Sequence, residues 1–170
     1  MEEQNTDVQD DYRIPAGASI GHVHLKVANI PRALDFYVGL LGFDLLMTDH
    51  ASVAFVSAGG YHHHIGLNTW ESAGGSPPPK RATGLYHIAV LYPERKDLAI
   101  AVKRLIDHGW AIGGASDHGV SEAIYLNDPD ENGIELYWDR PRNQWPKTDD
   151  GQLTMYTRRL DFAGLLALAS

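Results

Sequence analysis

Cysteine occurs nowhere in this chain, so disulfides, zinc–thiolate sites, iron–sulfur clusters and thiol nucleophiles are excluded together. Any metal would have to be held by histidine and carboxylate. Long apolar runs are missing as well: no stretch of about 18 apolar residues appears, which argues against a membrane-spanning helix. Positive charge is scarce. Against 22 Asp and Glu stand 14 Lys and Arg, a formal net charge of −8, with no basic run. Nucleic acid and anionic membrane are poor partners for such a surface, and a small molecule is the expected ligand. The N-terminus, Met1-Glu2-Glu3-Gln4, is acidic where a signal peptide would be basic and then apolar, so a cytoplasmic protein is predicted.

What the chain does contain is a repeat. After a polar arm over 1–17, Ile20 to Val27 alternates, with His22, His24 and Lys26 on one face and Val23, Leu25 and Val27 on the other, which predicts a strand. Asn29 and Pro31 then offer a cap and a first turn for a helix that ends at Gly42. Strands are predicted over Phe43–Thr48, Ser52–Ser57 and His62–Trp70. A Gly/Ser/Pro linker over 73–83 separates this unit from the next. There the order returns: a strand at Gly84–Leu91, a helix over Pro93–His108, and strands at Trp110–Ile112, Ser121–Leu126 and Gly133–Trp138. Two βαβββ modules (18–72 and 84–141), each too small to bury its own sheet and helix well, would pair into one α+β domain, a half-closed barrel with a concave pocket. Residues 142–170 read as a C-terminal extension with a short packing helix, and no site is expected in it.

Candidate chemistry starts at Gly60-Tyr61-His62-His63-His64-Ile65-Gly66. Successive strand residues face opposite ways, so three consecutive histidines cannot all serve one centre without a bulge. Superposing the modules points elsewhere. His22 falls on His87, and Glu135 falls on Gly66, so three of the four equivalent positions are metal-capable and the fourth has no side chain. Two histidines and one carboxylate form the facial set used by non-heme Fe(II) enzymes that react with oxygen.

The segments Gly-His-Val-His-Leu-Lys-Val, His-His-Ile-Gly-Leu-Asn-Thr-Trp, Gly-Leu-Tyr-His and Gly-Ile-Glu-Leu-Tyr-Trp-Asp-Arg-Pro resemble the vicinal oxygen chelate superfamily of glyoxalases, bleomycin-resistance proteins and extradiol dioxygenases. They are most similar to its single-domain catechol 2,3-dioxygenases, including those that act on L-DOPA. The resemblance covers residues 19–141. It implies that His22, His87 and Glu135 hold Fe(II), with Mn(II) the other candidate, and that catechol and O₂ are the substrates. It also implies that His63 is the acid/base group, although strand parity favours His62 and His64; His64 is the second choice and a substrate contact. Tyr125, ten residues before the glutamate, and His118 on the preceding loop would act on the substrate oxygens, with Asn68 and Trp70 lining the aromatic wall. A homodimer is expected. The alternatives are a glyoxalase-like isomerase or lyase, against which Gly66 counts, and a metal-free aromatic-drug-binding protein, against which the His-His-Glu set counts.

Overall fold

The computed structural model describes residues 12–170. Residues 1–11 of the expected arm lie outside the described residues, and 12–17 form no helix or strand. Alternation builds β1 (Val23–Lys26), which buries Leu25 and exposes His24 and Lys26. Asn29 stays extended and accepts the backbone N–H of Arg32 at 2.8 Å, an N-cap that opens α1 (Ile30–Leu34) with Pro31 in its first turn. The helix continues as a π-helical segment, Asp35–Leu40. Gly42, at φ +86°, turns the chain out in a conformation that costs glycine little. Strands β2 (Asp44–Thr48), β3 (Val53–Ser57) and β4 (Ile65–Asn68) complete a sheet of order β1-β4-β3-β2, with β1 and β4 parallel.

The second module repeats this with β5 (Ile88–Leu91), α2 (Arg95–Asp107), β6 (Gly114–Asp117), β7 (Ser121–Asn127) and β8 (Gly133–Asp139). Its β5 and β8 are again parallel. Helix α2 buries Leu98, Ala99, Val102 and Leu105 completely, one stripe at helical spacing in which each leucine and the valine contributes about 1.5–3 kcal/mol. The α+β class and the paired βαβββ modules are therefore the observed architecture. Among the described residues no helix is long and apolar enough to cross a membrane.

The elements differ from the expected ones in several places, among them the strand expected at Gly84–Leu91, which starts only at Ile88. The strand expected at Trp110–Ile112 lies instead at Gly114–Asp117. Trp110 packs on Phe36, with ring centroids 4.8 Å apart, and its indole N–H donates to the Asn127 carbonyl, so tertiary packing claims the apolar run that would otherwise pair. Strand β4 starts at Ile65, leaving His62, His63 and His64 before it, where strand parity does not govern their direction. The extension carries an unpredicted strand, β9 (Arg158–Arg159), which makes the second sheet β5-β8-β7-β6-β9. Beyond it, α3 (Phe162–Leu166) packs on α2 and buries Leu165.

Polar contacts, the Tyr37–Asp128 bond among them buried, join the modules within one chain. The turn between β7 and β8 folds around Asp128, which accepts the backbone N–H groups of Asp130 and Asn132 at 2.8 Å each. The Tyr37 hydroxyl of module one donates to Asp128 at 2.9 Å. Asp130 accepts from Ala28 N–H and pairs with Arg32. From α2, Arg104 donates to the carbonyls of Leu40 and Gly39 at 2.9 and 2.7 Å.

Candidate functional site

The two parallel ladders place the candidate residues in matching positions. In module one Val23 pairs Ile65 and His24 pairs Gly66; in module two Ile88 pairs Ile134 and Ala89 pairs Glu135. His22 and His87 therefore each stand one step before the first rung, while Gly66 and Glu135 occupy the same rung. On that rung a further exchange appears. A Cβ on Gly66 would lie 2.8 Å from the His24 ring, so a large residue on the first strand is matched by none on the fourth. Module two reverses this with Ala89 beside Glu135. On the next strand the rung continues to Phe55 in module one and Tyr125 in module two.

His22, His64 and His87 line one cleft of about 650 Å³ that runs between the two sheets. From His87 a connected polar chain runs on through module two. His87 Nε2 lies 2.9 Å from Glu135 Oε2, and the buried His87 Nδ1 has no hydrogen-bond partner among the described residues. The Tyr125 hydroxyl is 3.5 Å from Glu135 Oε1 and 2.7 Å from His118 Nε2. Burial, and then the Glu135 charge, push the Tyr125 phenol up to about 12, so it stays protonated near neutral pH. On its far side, His118 Nδ1 meets the Tyr156 carbonyl at 3.0 Å.

On module one, His62 and His63 cluster against His22. The His63 ring lies tilted against those of His22 and Phe55, with centroids 4.2 and 4.8 Å away, and its Nδ1 is 2.8 Å from that of His62. Desolvation, and then His22 and His62, lower the His63 pKa, which favours a neutral imidazole able to accept a proton. His64 is held differently. Its Nδ1 accepts the Ala58 backbone N–H at 3.3 Å and lies 2.9 Å from Ser57 Oγ, contacts that tie it to the end of β3. Asn68 is buried, and its side chain accepts the Trp70 N–H at 3.3 Å. Trp70 is 65% exposed and meets His24 edge-on at 5.3 Å.

The structure thus brings His87, Glu135, Tyr125 and His118 together in module two, and His22 and His63 together in module one. Among the described residues no three His, Asp or Glu side chains are gathered around one point closely enough to hold a metal ion. The nitrogen and oxygen donors of His87 and Glu135, converging beside the cleft, suit a divalent cation, and His22 lines the same cleft. Two participants had no clear signal in the sequence. His24 shares the parity of His22, but nothing showed that its ring fills the space over Gly66; Tyr156 enters through a backbone carbonyl, which every residue type carries.

Architecture and site residues together define a class. A model of the glyoxalase/bleomycin resistance protein/dioxygenase superfamily matches residues 19–136, and the chain belongs to that superfamily. It is 43% identical over 148 residues to the catechol-2,3-dioxygenase of Bacillus subtilis (strain 168), a match taking in 86% of this chain and 50% of that protein. The chain therefore spans about half the length of this relative. It is also 29% identical over 131 residues to biphenyl-2,3-diol 1,2-dioxygenase 3 of Rhodococcus globerulus, covering 76% of this chain and 68% of that one. A glyoxalase/dioxygenase structure from Nostoc punctiforme superposes with a TM-score of 0.64 at 22% identity, over 78% of this chain and 99% of that one, a likeness of fold.

Proposed function

We propose that this chain is an extradiol dioxygenase that opens the ring of a small catechol beside one hydroxyl, placing both atoms of O₂ in the product, with Fe(II) held by His22, His87 and Glu135. The observation that carries the reading is the pair of matched ladders, which set His22 and His87 at one step and Glu135 on the rung where module one has glycine. Its relatives named for catechol and biphenyl-2,3-diol point to the same substrate class. A bound Fe(II) would supply Lewis acidity to a coordinated phenol and a place for O₂ beside it.

The remaining work falls to this chain's own side chains. His63, whose lowered pKa favours the neutral imidazole, accepts the proton of the second catechol hydroxyl and returns it later. Tyr125 and His118 orient the substrate oxygens through hydrogen bonds, as does His64 at the cleft wall. Trp70 and Asn68 border the ring. The catalytic domain is assigned to residues 18–141 and the extension to 142–170. A cytoplasmic homodimer is part of the reading, supported by the exposed apolar residues Ile20, Leu85 and Tyr86.

Anaerobic reconstitution with Fe(II), addition of a catechol panel that includes L-DOPA, and admission of air test the reading. Oxygen uptake with a yellow ring-opened semialdehyde is expected; no uptake with any catechol overturns it. A glyoxalase-like isomerase would consume no oxygen, and its fourth ligand would have to stand at position 66, against the His24 ring.

A further inference from the structure

The segment after residue 141 is not a bystander to the site. Tyr156 and His118 grip each other twice. The Tyr156 backbone N–H donates to the His118 carbonyl at 3.3 Å, and the Tyr156 carbonyl receives the His118 side chain at Nδ1, 3.0 Å away. Around this contact the segment is well seated. Arg158 lies over the Tyr156 ring at 4.1 Å, β9 continues onto β6 with Asp117 opposite Arg158, and the Tyr156 ring and Pro146 press on Gly119, where a Cβ would find them at 2.7 and 2.8 Å. Gly119 has φ +79°, a left-handed conformation that also favours glycine there.

A carbonyl oxygen only accepts hydrogen bonds. The nitrogen facing it must therefore carry the proton, and in a neutral imidazole this leaves Nε2 as an acceptor. The Tyr125 hydroxyl, 2.7 Å from Nε2, has one hydrogen to give. It would otherwise go to Glu135 Oε1, 3.5 Å away. With Nε2 accepting, the shorter and stronger bond takes it, and Glu135 keeps its charge for other partners. The opposite tautomer would reverse the chain, with His118 donating to Tyr125 and Tyr125 donating to Glu135.

We infer that the backbone carbonyl of Tyr156 is a positioning group: it fixes His118 as the Nδ1–H tautomer and so directs the Tyr125 hydrogen to His118 and away from the Glu135 carboxylate. The C-terminal extension thereby sets the polarity of the whole polar chain. The inference deepens the dioxygenase reading and rests on it for its purpose, because a carboxylate free of Tyr125 is one available to a cation. The tautomer itself requires no iron, oxygen or turnover.

Long-range ¹H–¹⁵N spectra of the metal-free, full-length, ¹⁵N-histidine-labelled protein above pH 8 read it directly, with the His118 signals assigned by their loss in His118→Gln. A single Nδ1–H tautomer is expected; an Nε2–H ring, a mixture or a doubly protonated ring overturns the inference. Two variants isolate the carbonyl. Thr157 Oγ1 also lies 3.3 Å from Nδ1, so Thr157→Val must leave the tautomer in place, and so must Tyr125→Phe, which removes the other neighbour. A tautomer that scrambles in either variant assigns the control to that side chain and overturns the role of Tyr156. Tyr125→Phe is also expected to change Co(II) affinity less than threefold, since Tyr125 does not engage Glu135; a change above tenfold means that it does. If the tautomer holds and no catechol is cleaved, the positioning stands and the dioxygenase reading alone fails.

Discussion

The two modules share one topology and spend the same rung differently. Module one places His24, Gly66 and Phe55 across it, and module two places Ala89, Glu135 and Tyr125. Bulk on the first strand excludes a side chain on the last, and the reverse holds in the other half. The difference extends to their surroundings. Tyr125 and His118 are locked against the C-terminal segment, whereas His24 and Trp70 of module one face solvent. A duplicated architecture thus supplies one acidic cluster, whose groups are oriented by neighbours, and one imidazole cluster, whose groups are held largely by each other.

Making module two imitate module one is the most severe test of this contrast. Glu135→Gly is expected to lower Fe(II) affinity by more than about 100-fold, beyond the loss usual for groups that merely support a ligand. Metal content after dialysis is the check, and an unchanged iron content removes Glu135 from the ligand set. His63→Ala comes next. Turnover should fall about 10²–10³-fold, the range of a lost acid/base group, while bound iron stays near normal. Loss of iron would make His63 a ligand.

The reverse imitation acts on stability. Gly66→Glu drives a side chain into the His24 ring and should cost about 1–3 kcal/mol in urea unfolding, the usual scale for overpacking. His24→Ala in the same chain should restore most of that loss, and two costs that simply add would show that the residues are not coupled. The smallest effect concerns the clamp between the modules. Burial, and then the Asp128 carboxylate, raise the Tyr37 pKa far above its ordinary 10.0. The unfolded chain releases this proton above pH 10 and the folded chain retains it, so Tyr37's contribution is complete below that pH. It declines as pH rises further, by up to about 1.4 kcal/mol per pH unit. Tyr37→Phe should flatten that part of the alkaline limb in unfolding curves measured between pH 9 and 11.

Much of the fold was legible where neighbouring residues decide it. The alternation from His22 to Val27, the Asn29 cap with Pro31 behind it, and the apolar stripe of α2 each announce a local conformation. The strand β6 was not legible. Gly114-Ala115-Ser116-Asp117 has weak strand character, and it pairs because β7 and β9 flank it, while the more strand-like Trp110 is spent on Phe36. The histidine triplet was misleading for a related reason: a period-2 argument fails for His62, His63 and His64, which all precede the first residue of β4.

Residue types and the internal repeat were sufficient to exclude thiolate chemistry, to set out two βαβββ modules and to bring His22, His87 and Glu135 forward as one equivalent set, since composition and period are properties of the chain itself. That His24 fills the space above Gly66, that His63 and not His64 stands against His22, and that a backbone carbonyl of the extension meets His118 all depend on residues far apart in the chain. Such contacts come from packing, and packing has no period to read along a sequence.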